Sequence, residues 1–192
     1  GIIFCNTKMG VEEVLEQLQA RGYSVEALHG DMKQMQREQV MKKFRKGVIE
    51  LLVATDVAAR GIDVEDVEVV FNYDIPYDEE YYVHRIGRTG RAGKSGKSFT
   101  FVVGKEIYKL KDIERYAKTK IAYEKVPSLN EVEEVKVKVF LNNVKDVIKN
   151  QNLEPYRSYA EQLISEDFTA LDISLALMKM NLELENKKAN EV

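Results

Sequence analysis

The chain is expected to fold as an open, doubly wound parallel α/β sheet over residues 1–124, followed by a small all-α domain over 125–192. Three observations carry that expectation. Short apolar runs alternate with amphipathic stretches from Ile2 to about Tyr116, the pattern of βα units around a parallel sheet. The alternation stops near Lys125, where Pro127 and Ser128 mark a hinge. Polar residues suited to phosphate recur just after successive apolar runs, at the sheet edge where open α/β folds gather their ligands.

Residues 2–5 form the first buried run, and Val11, Val14, Leu15 and Leu18 then recur at three and four as the stripe of a helix that Gly22 ends. Residues 23–28 read as a strand. Val40, Met41 and Phe44 mark a second helix closed by Gly47, and Leu51, Leu52 and Val53 a third strand. Val67, Val69, Val70 and Phe71 make a fourth, residues 81–88 a helix, and residues 98–103 the last strand. Ile107, Leu110 and Ile113 lie on the closing helix. Beyond the hinge, Val132, Val135 and Val139 begin a helical stripe that continues through Val144 and Val147. A second helix starts near Glu154 and Pro155, proline being tolerated in a first turn. A third starts at Thr169, an N-cap residue, and sets Leu171, Leu175, Met178 and Leu182 on one face.

The 192 residues, 44% hydrophobic and 32% charged, describe a globular protein rather than a disordered one. No apolar run reaches the length of a membrane span. The apolar start lacks the basic leader of a secretory signal, so the sequence reads as a piece cut from a longer protein. One cysteine excludes an intramolecular disulfide and fits a reducing cytoplasm. Two histidines and that cysteine have no metal-ligand spacing, so no metal is expected to be bound by this chain alone. A net charge of −3 means that any polyanion site is a local patch.

The densest chemistry is the octet His84-Arg85-Ile86-Gly87-Arg88-Thr89-Gly90-Arg91. Residues three apart share a helix face, so Arg85 and Arg88 are expected to point the same way, with Gly90 ending the helix and Arg91 reaching in from a loop. Permanently charged forks of this kind suit a polyphosphate whose charge grows as it is cleaved. Other segments fall at the same edge. Asn6-Thr7-Lys8 follows the first run, His29-Gly30-Asp31 the second, with Gln34 and Arg37 opening the next helix, and Thr55-Asp56 the third. Taken singly, each also reads as a helix cap or an exposed turn.

In order and spacing these segments, together with residues 54–63 (Ala-Thr-Asp-Val-Ala-Ala-Arg-Gly-Ile-Asp) and 72–76 (Asn-Tyr-Asp-Ile-Pro), resemble the second, RecA-like helicase domain of DEAD-box RNA helicases. DNA helicases of the same superfamily usually carry Gln where His84 stands. The resemblance implies that Arg88 and Arg91 are arginine fingers on the γ-phosphate of ATP, held with Mg²⁺ mainly by the N-terminal helicase domain of the same protein. It implies that Asp63 binds the ribose, that Thr7, Gly30, Arg37 and Thr55 grip the RNA backbone without reading sequence, and that His84 and Arg85 couple the two sites. A Gly-x-x-x-x-Gly-Lys-Ser/Thr loop and the Asp-Glu-Ala-Asp tetrad are absent from the sequence. The chain alone is therefore expected not to hydrolyse ATP.

Residues 125–192 are acidic overall, without Arg-Gly-Gly repeats, and resemble the helical dimerisation module of some bacterial members. Val132, Val135, Val139, Leu171, Leu175 and Met178 are the expected homodimer interface, an intramolecular cap on the α/β domain being the other reading. Two further functions compete with the RNA helicase: a non-enzymatic interaction module, and half of a superfamily 2 DNA translocase.

Overall fold

The structure, a computed structural model, describes residues 1–59, 67–91, 93 and 95–190. Five strands, β1 (Ile2–Cys5), β2 (Val25–Leu28), β3 (Leu51–Thr55), β4 (Val69–Asn72) and β5 (Lys97–Thr100), form one parallel sheet in the order β2-β3-β1-β4-β5. The central strand pairs on both sides, Ile2 with Leu52 and with Val70. All four of its residues are buried, as a strand covered on both faces requires.

The helices fill the connections: α1 (Lys8–Ala20), α2 (Gln34–Arg45), α3 (Asp56–Ala59), α4 (Glu79–Ile86) and α5 (Glu106–Ala117). Ile3, Cys5 and Val53 alternate toward the α1 side, where Val11 and Val14 meet them. Ile2, Phe4, Leu52 and Ala54 face the other way, onto Val40 and Met41 of α2. A third cluster joins Ile75, Tyr82 and Ile113, fixing α4 and α5 to each other. Contacts divide the chain into two units, Gly1–Ile121 and Ala122–Asn190. The second contains α6 (Leu129–Asn150), a 3-10 turn at Glu154–Tyr156, α7 (Arg157–Ser165) and α8 (Ala170–Asn190). Ser128 and Glu131 cap α6 reciprocally, and Thr169 and Asp172 do the same for α8, each backbone N–H donating to the other's side chain.

The parallel sheet and the helical second unit are as the sequence predicts, with two corrections that bear on function. The helix carrying the arginines ends at Ile86 with Gly87 as its cap, not at Gly90, so Arg88 lies beyond it and does not share a helix face with Arg85. Val67 makes an isolated bridge to Thr89 rather than opening β4.

Candidate functional site

Loops from the carboxyl ends of β2, β3 and β1 stand side by side, since those strands are neighbours in that order. Gly30 follows β2, Thr55 ends β3 and Thr7 follows β1. With about 4.8 Å between strands, the three span about 10 Å of sheet edge. Thr7 caps α1, its hydroxyl accepting the N–H of Gly10 at 3.0 Å, and Thr55 accepts from Ala58 N at 3.4 Å. A side chain on Gly30 would meet nothing within 4 Å, so its backbone is open to approach. Arg37, three residues into α2, donates to the Ala58 carbonyl at 2.8 Å, tying that helix to α3. Lys8 crosses to Asp31 at 2.6 Å, and this contact raises the Lys8 pKa and lowers that of Asp31. Gln34 bonds Glu38 along its own helix.

Arg85 lies inward rather than toward a phosphate, with 1% of its surface exposed. Its Nε and Nη2 hold the two oxygens of Asp56 at 2.7 Å each. Nη2 also donates to Asn6 Oδ1 at 2.8 Å and Nη1 to the Asp74 carbonyl at 2.7 Å. The ring of Phe4 lies 5.2 Å from the guanidinium. Asn6 in turn donates its backbone N–H to Asp74 Oδ2 at 2.7 Å and its side-chain amide to the Ile75 carbonyl at 2.8 Å. Fully buried Asn72 donates to Thr100 Oγ1 at 3.1 Å. One guanidinium thus clamps the carboxyl ends of β1, β3 and β4. His84, its neighbour, is exposed and lies 3.3 Å from Glu80.

Arg88 and Arg91 occupy the loop after α4. Val67 N donates to the Arg88 carbonyl at 3.1 Å, and Thr89 Oγ1 donates to the Val67 carbonyl. Gly90 adopts φ 69°, the left-handed region that favours glycine. A Cβ on Gly96 would overlap Thr89 Oγ1 and Gly90 N, so β5 enters directly against this loop. Arg91 Nε donates back to the Gly87 carbonyl. The loop is therefore positioned by its backbone, as a charge-presenting element must be. Asp63 lies outside the described residues.

Between β1 and β4, where the chain's connections diverge to opposite sides, a cavity of about 270 Å³ opens between Thr7, Glu13, Tyr73, Asp74 and Tyr77. Its two carboxylates, Glu13 and Asp74, disfavour a phosphate within the cavity itself. The holders of Arg85, namely Asn6, Asp56, Asn72 and Asp74, were not singled out as a unit from sequence. The signal was a polar residue, Asn72, ending the apolar run Val-Val-Phe.

Residues 1–93 match the family described as helicase conserved C-terminal domain, and residues 127–188 the RNA helicase DeaD dimerization domain. The "DEAD-box ATP-dependent RNA helicase CshA" of Geobacillus kaustophilus is 47% identical over 180 residues, 94% of this chain and 38% of that protein. A DEAD box protein from Methanococcus jannaschii has a similar structure, with a TM-score of 0.62 and 47% identity over 65% of this chain and 34% of that one. The C-terminal domain of the DEAD-box protein Dbp5 is 38% identical, with a TM-score of 0.61, and the match covers 71% of this chain and 81% of that domain. The chain belongs to the DEAD-box family. It corresponds to the C-terminal helicase portion with a dimerisation extension, and spans little more than a third of the Geobacillus relative.

Within the family's frame, the arginine loop and the Thr7–Thr55–Gly30 edge are separate features of one unit, joined by Arg85 and α3. Among the described residues, no helix is long and apolar enough to cross a membrane, and no group of His, Cys, Asp and Glu could hold a metal ion.

Proposed function

We propose that this chain is the C-terminal half of a cytoplasmic ATP-dependent RNA helicase, completing a composite ATPase site with the N-terminal helicase domain of the same protein. The observation that carries the reading is the backbone-pinned loop of Arg88 and Arg91 on a sheet whose adjacent strand ends carry Thr7, Thr55 and Gly30. Arg88 and Arg91 neutralise the γ-phosphate of ATP as it transfers, and Asp63 receives the ribose hydroxyls. ATP arrives with Mg²⁺, which supplies further charge neutralisation and is held by the other domain. Thr7, Gly30, Arg37 and Thr55 hold the RNA backbone through hydroxyl, amide and guanidinium donors, contacts that position without specifying sequence. Arg85 keeps the strand ends in register beneath both sites, with His84 at the outer surface beside it. The helical unit pairs two such proteins through Val132, Val135, Val139, Leu171, Leu175 and Met178; of these Met178 is half-buried and the others are exposed.

RNA-stimulated hydrolysis by a protein in which the N-terminal helicase domain is joined to this chain tests the reading. R88A and R91A are each expected to lower turnover by about 10³ or more, with RNA stimulating where DNA does not. Turnover by this chain without the other domain, or full activity in R88A, would refute it.

A further inference from the structure

Among its described side chains the helical unit has no buried core. None of its side chains from residue 122 to 182 is buried, although α6, α7 and α8 are rich in valine, leucine and isoleucine. The α/β unit, by contrast, excludes water fully from Val11, Leu28, Val53 and Ile113. Exposure sorts α6 into two stripes. On one, Phe140 is half-buried and Val137, Leu141, Val144 and Val147 are 36 or 37% exposed, spaced at three and four as a single helix face. On the other, Val135 and Val139 are 60% and 53% exposed. The third helix divides in the same way: Ile173, Met178 and Leu182 are half-buried, while Leu171 and Leu175 stand more than half in water.

Helices in proteins take most of their stability from packing of an apolar face rather than from their own propensity. Fewer than 70 residues in which every described large apolar side chain is partly wet cannot offset the conformational entropy lost on ordering them. Yet the ends are specified carefully. The Ser128–Glu131 and Thr169–Asp172 caps lock the starts of the two long helices. Local signals therefore encode helices whose burial the packing of the unit itself does not supply.

We propose that a second copy of the same segment supplies it, and that the helices of residues 122–190 fold only as they pair: dimerisation and tail folding are one step. The proposal rests on the reading of the tail as a dimerisation unit, to which the family match over 127–188 points. A two-fold pairing sets each stripe against its own copy, so the outward stripe of Val135, Val139, Leu171 and Leu175 gains a partner and in doing so closes the inward one. Subunits then cannot exchange between dimers without unfolding their tails.

The test combines light scattering with far-UV circular dichroism on the chain over a dilution series. Two thermal transitions are expected. That of the α/β unit is independent of concentration, whereas that of the tail rises by about 5 °C for each tenfold increase, given the enthalpy of two tails melting together. As the mass falls from twice 22.1 kDa to 22.1 kDa, α6, α7 and α8, about half of the helix in the chain, lose their signal in parallel. V139D and L175D are expected to be monomers lacking that same signal while the α/β transition stays in place. A monomer, diluted or V139D, that keeps its full helical signal would overturn coupled folding and leave the dimer standing. So would a dimer whose tail transition ignores concentration. A monomer at every concentration would overturn the dimer reading itself.

Discussion

Replacing Arg85 with alanine is expected to cost the α/β unit a large part of its stability. The guanidinium makes four short contacts, to both Asp56 oxygens, Asn6 Oδ1 and the Asp74 carbonyl. Its removal strands a carboxylate and two neutral acceptors. Breaking one side of a buried ion pair costs about 3–5 kcal/mol, and each orphaned acceptor about 1 kcal/mol more. The Asp56 side chain retains 16% exposure, and water there offsets part of the loss, which places the total near 4 kcal/mol. Against a stability of roughly 5–15 kcal/mol, that is between about a quarter and four fifths of the total. In urea, with a slope of about 1.5 kcal/mol per molar, the midpoint falls by about 2.5 M. R85K keeps the charge but cannot fork, and is expected to lose about half as much. The double variant R85A/D56A removes the stranded carboxylate, so it should be less destabilised than the two single variants added together, by about 2 kcal/mol. Unfolding can be followed through labelling of Cys5, the chain's one thiol, which is buried at the centre of the sheet. A shift under about 0.5 M for R85A, or strict additivity in the cycle, would show that the clamp is not what holds the strand ends together.

Burial pushes the Cys5 thiol up to about 12, above its ordinary 9.0. The folded state therefore keeps a proton that the unfolded state releases, and stability should fall as the pH rises above 9; C5A, which has no thiol to ionise, should lose that part of the slope in urea titrations. Glu131 and Asp172 are held below their ordinary values by hydrogen bonds from Ser128 and Thr169. The stabilisation they contribute is present above those values of 4.5 and 3.8 and is lost as the pH falls below them, so the tail transition should shift to lower temperature on acidification, less so in E131A/D172A. In an active protein with both helicase domains, R37K should raise the RNA concentration for half-maximal ATPase stimulation about tenfold, as one charge-assisted hydrogen bond is worth; an unchanged RNA dependence would remove Arg37 from the RNA-facing set.

Much of the fold was legible because each strand and helix of the α/β unit carries its own periodicity. The run Ile2 to Cys5 and the stripe Val11, Val14, Leu15, Leu18 name their elements without help from the rest of the chain. The arginine octet stood out by its composition and spacing, but these did not reveal its geometry. Spacing alone placed Arg85 and Arg88 on one face, whereas Gly87 ends the helix first and Tyr82 and Arg85 form its buried side. What turned Arg85 inward was a partner 29 residues earlier, Asp56, and another 79 residues earlier, Asn6. Pairings of that range follow from strand order, and local pattern does not encode strand order. The exposure of the tail's described side chains was equally hidden, since a stripe of valines looks the same whether or not a partner covers it.

The central strand also sets a timetable for synthesis. Ile2 pairs with Leu52 on one side and Val70 on the other, so the run Ile-Ile-Phe-Cys is made before either neighbour exists. At about 5–20 residues per second, some 3–10 s pass before β3 is complete and longer before β4 arrives. During that interval an uncharged, wholly apolar segment has, of the elements of its own unit, only α1, β2 and α2 for company. For the nascent chain, those seconds are the window in which a chaperone has most to bind and a neighbouring ribosome's product most to stick to.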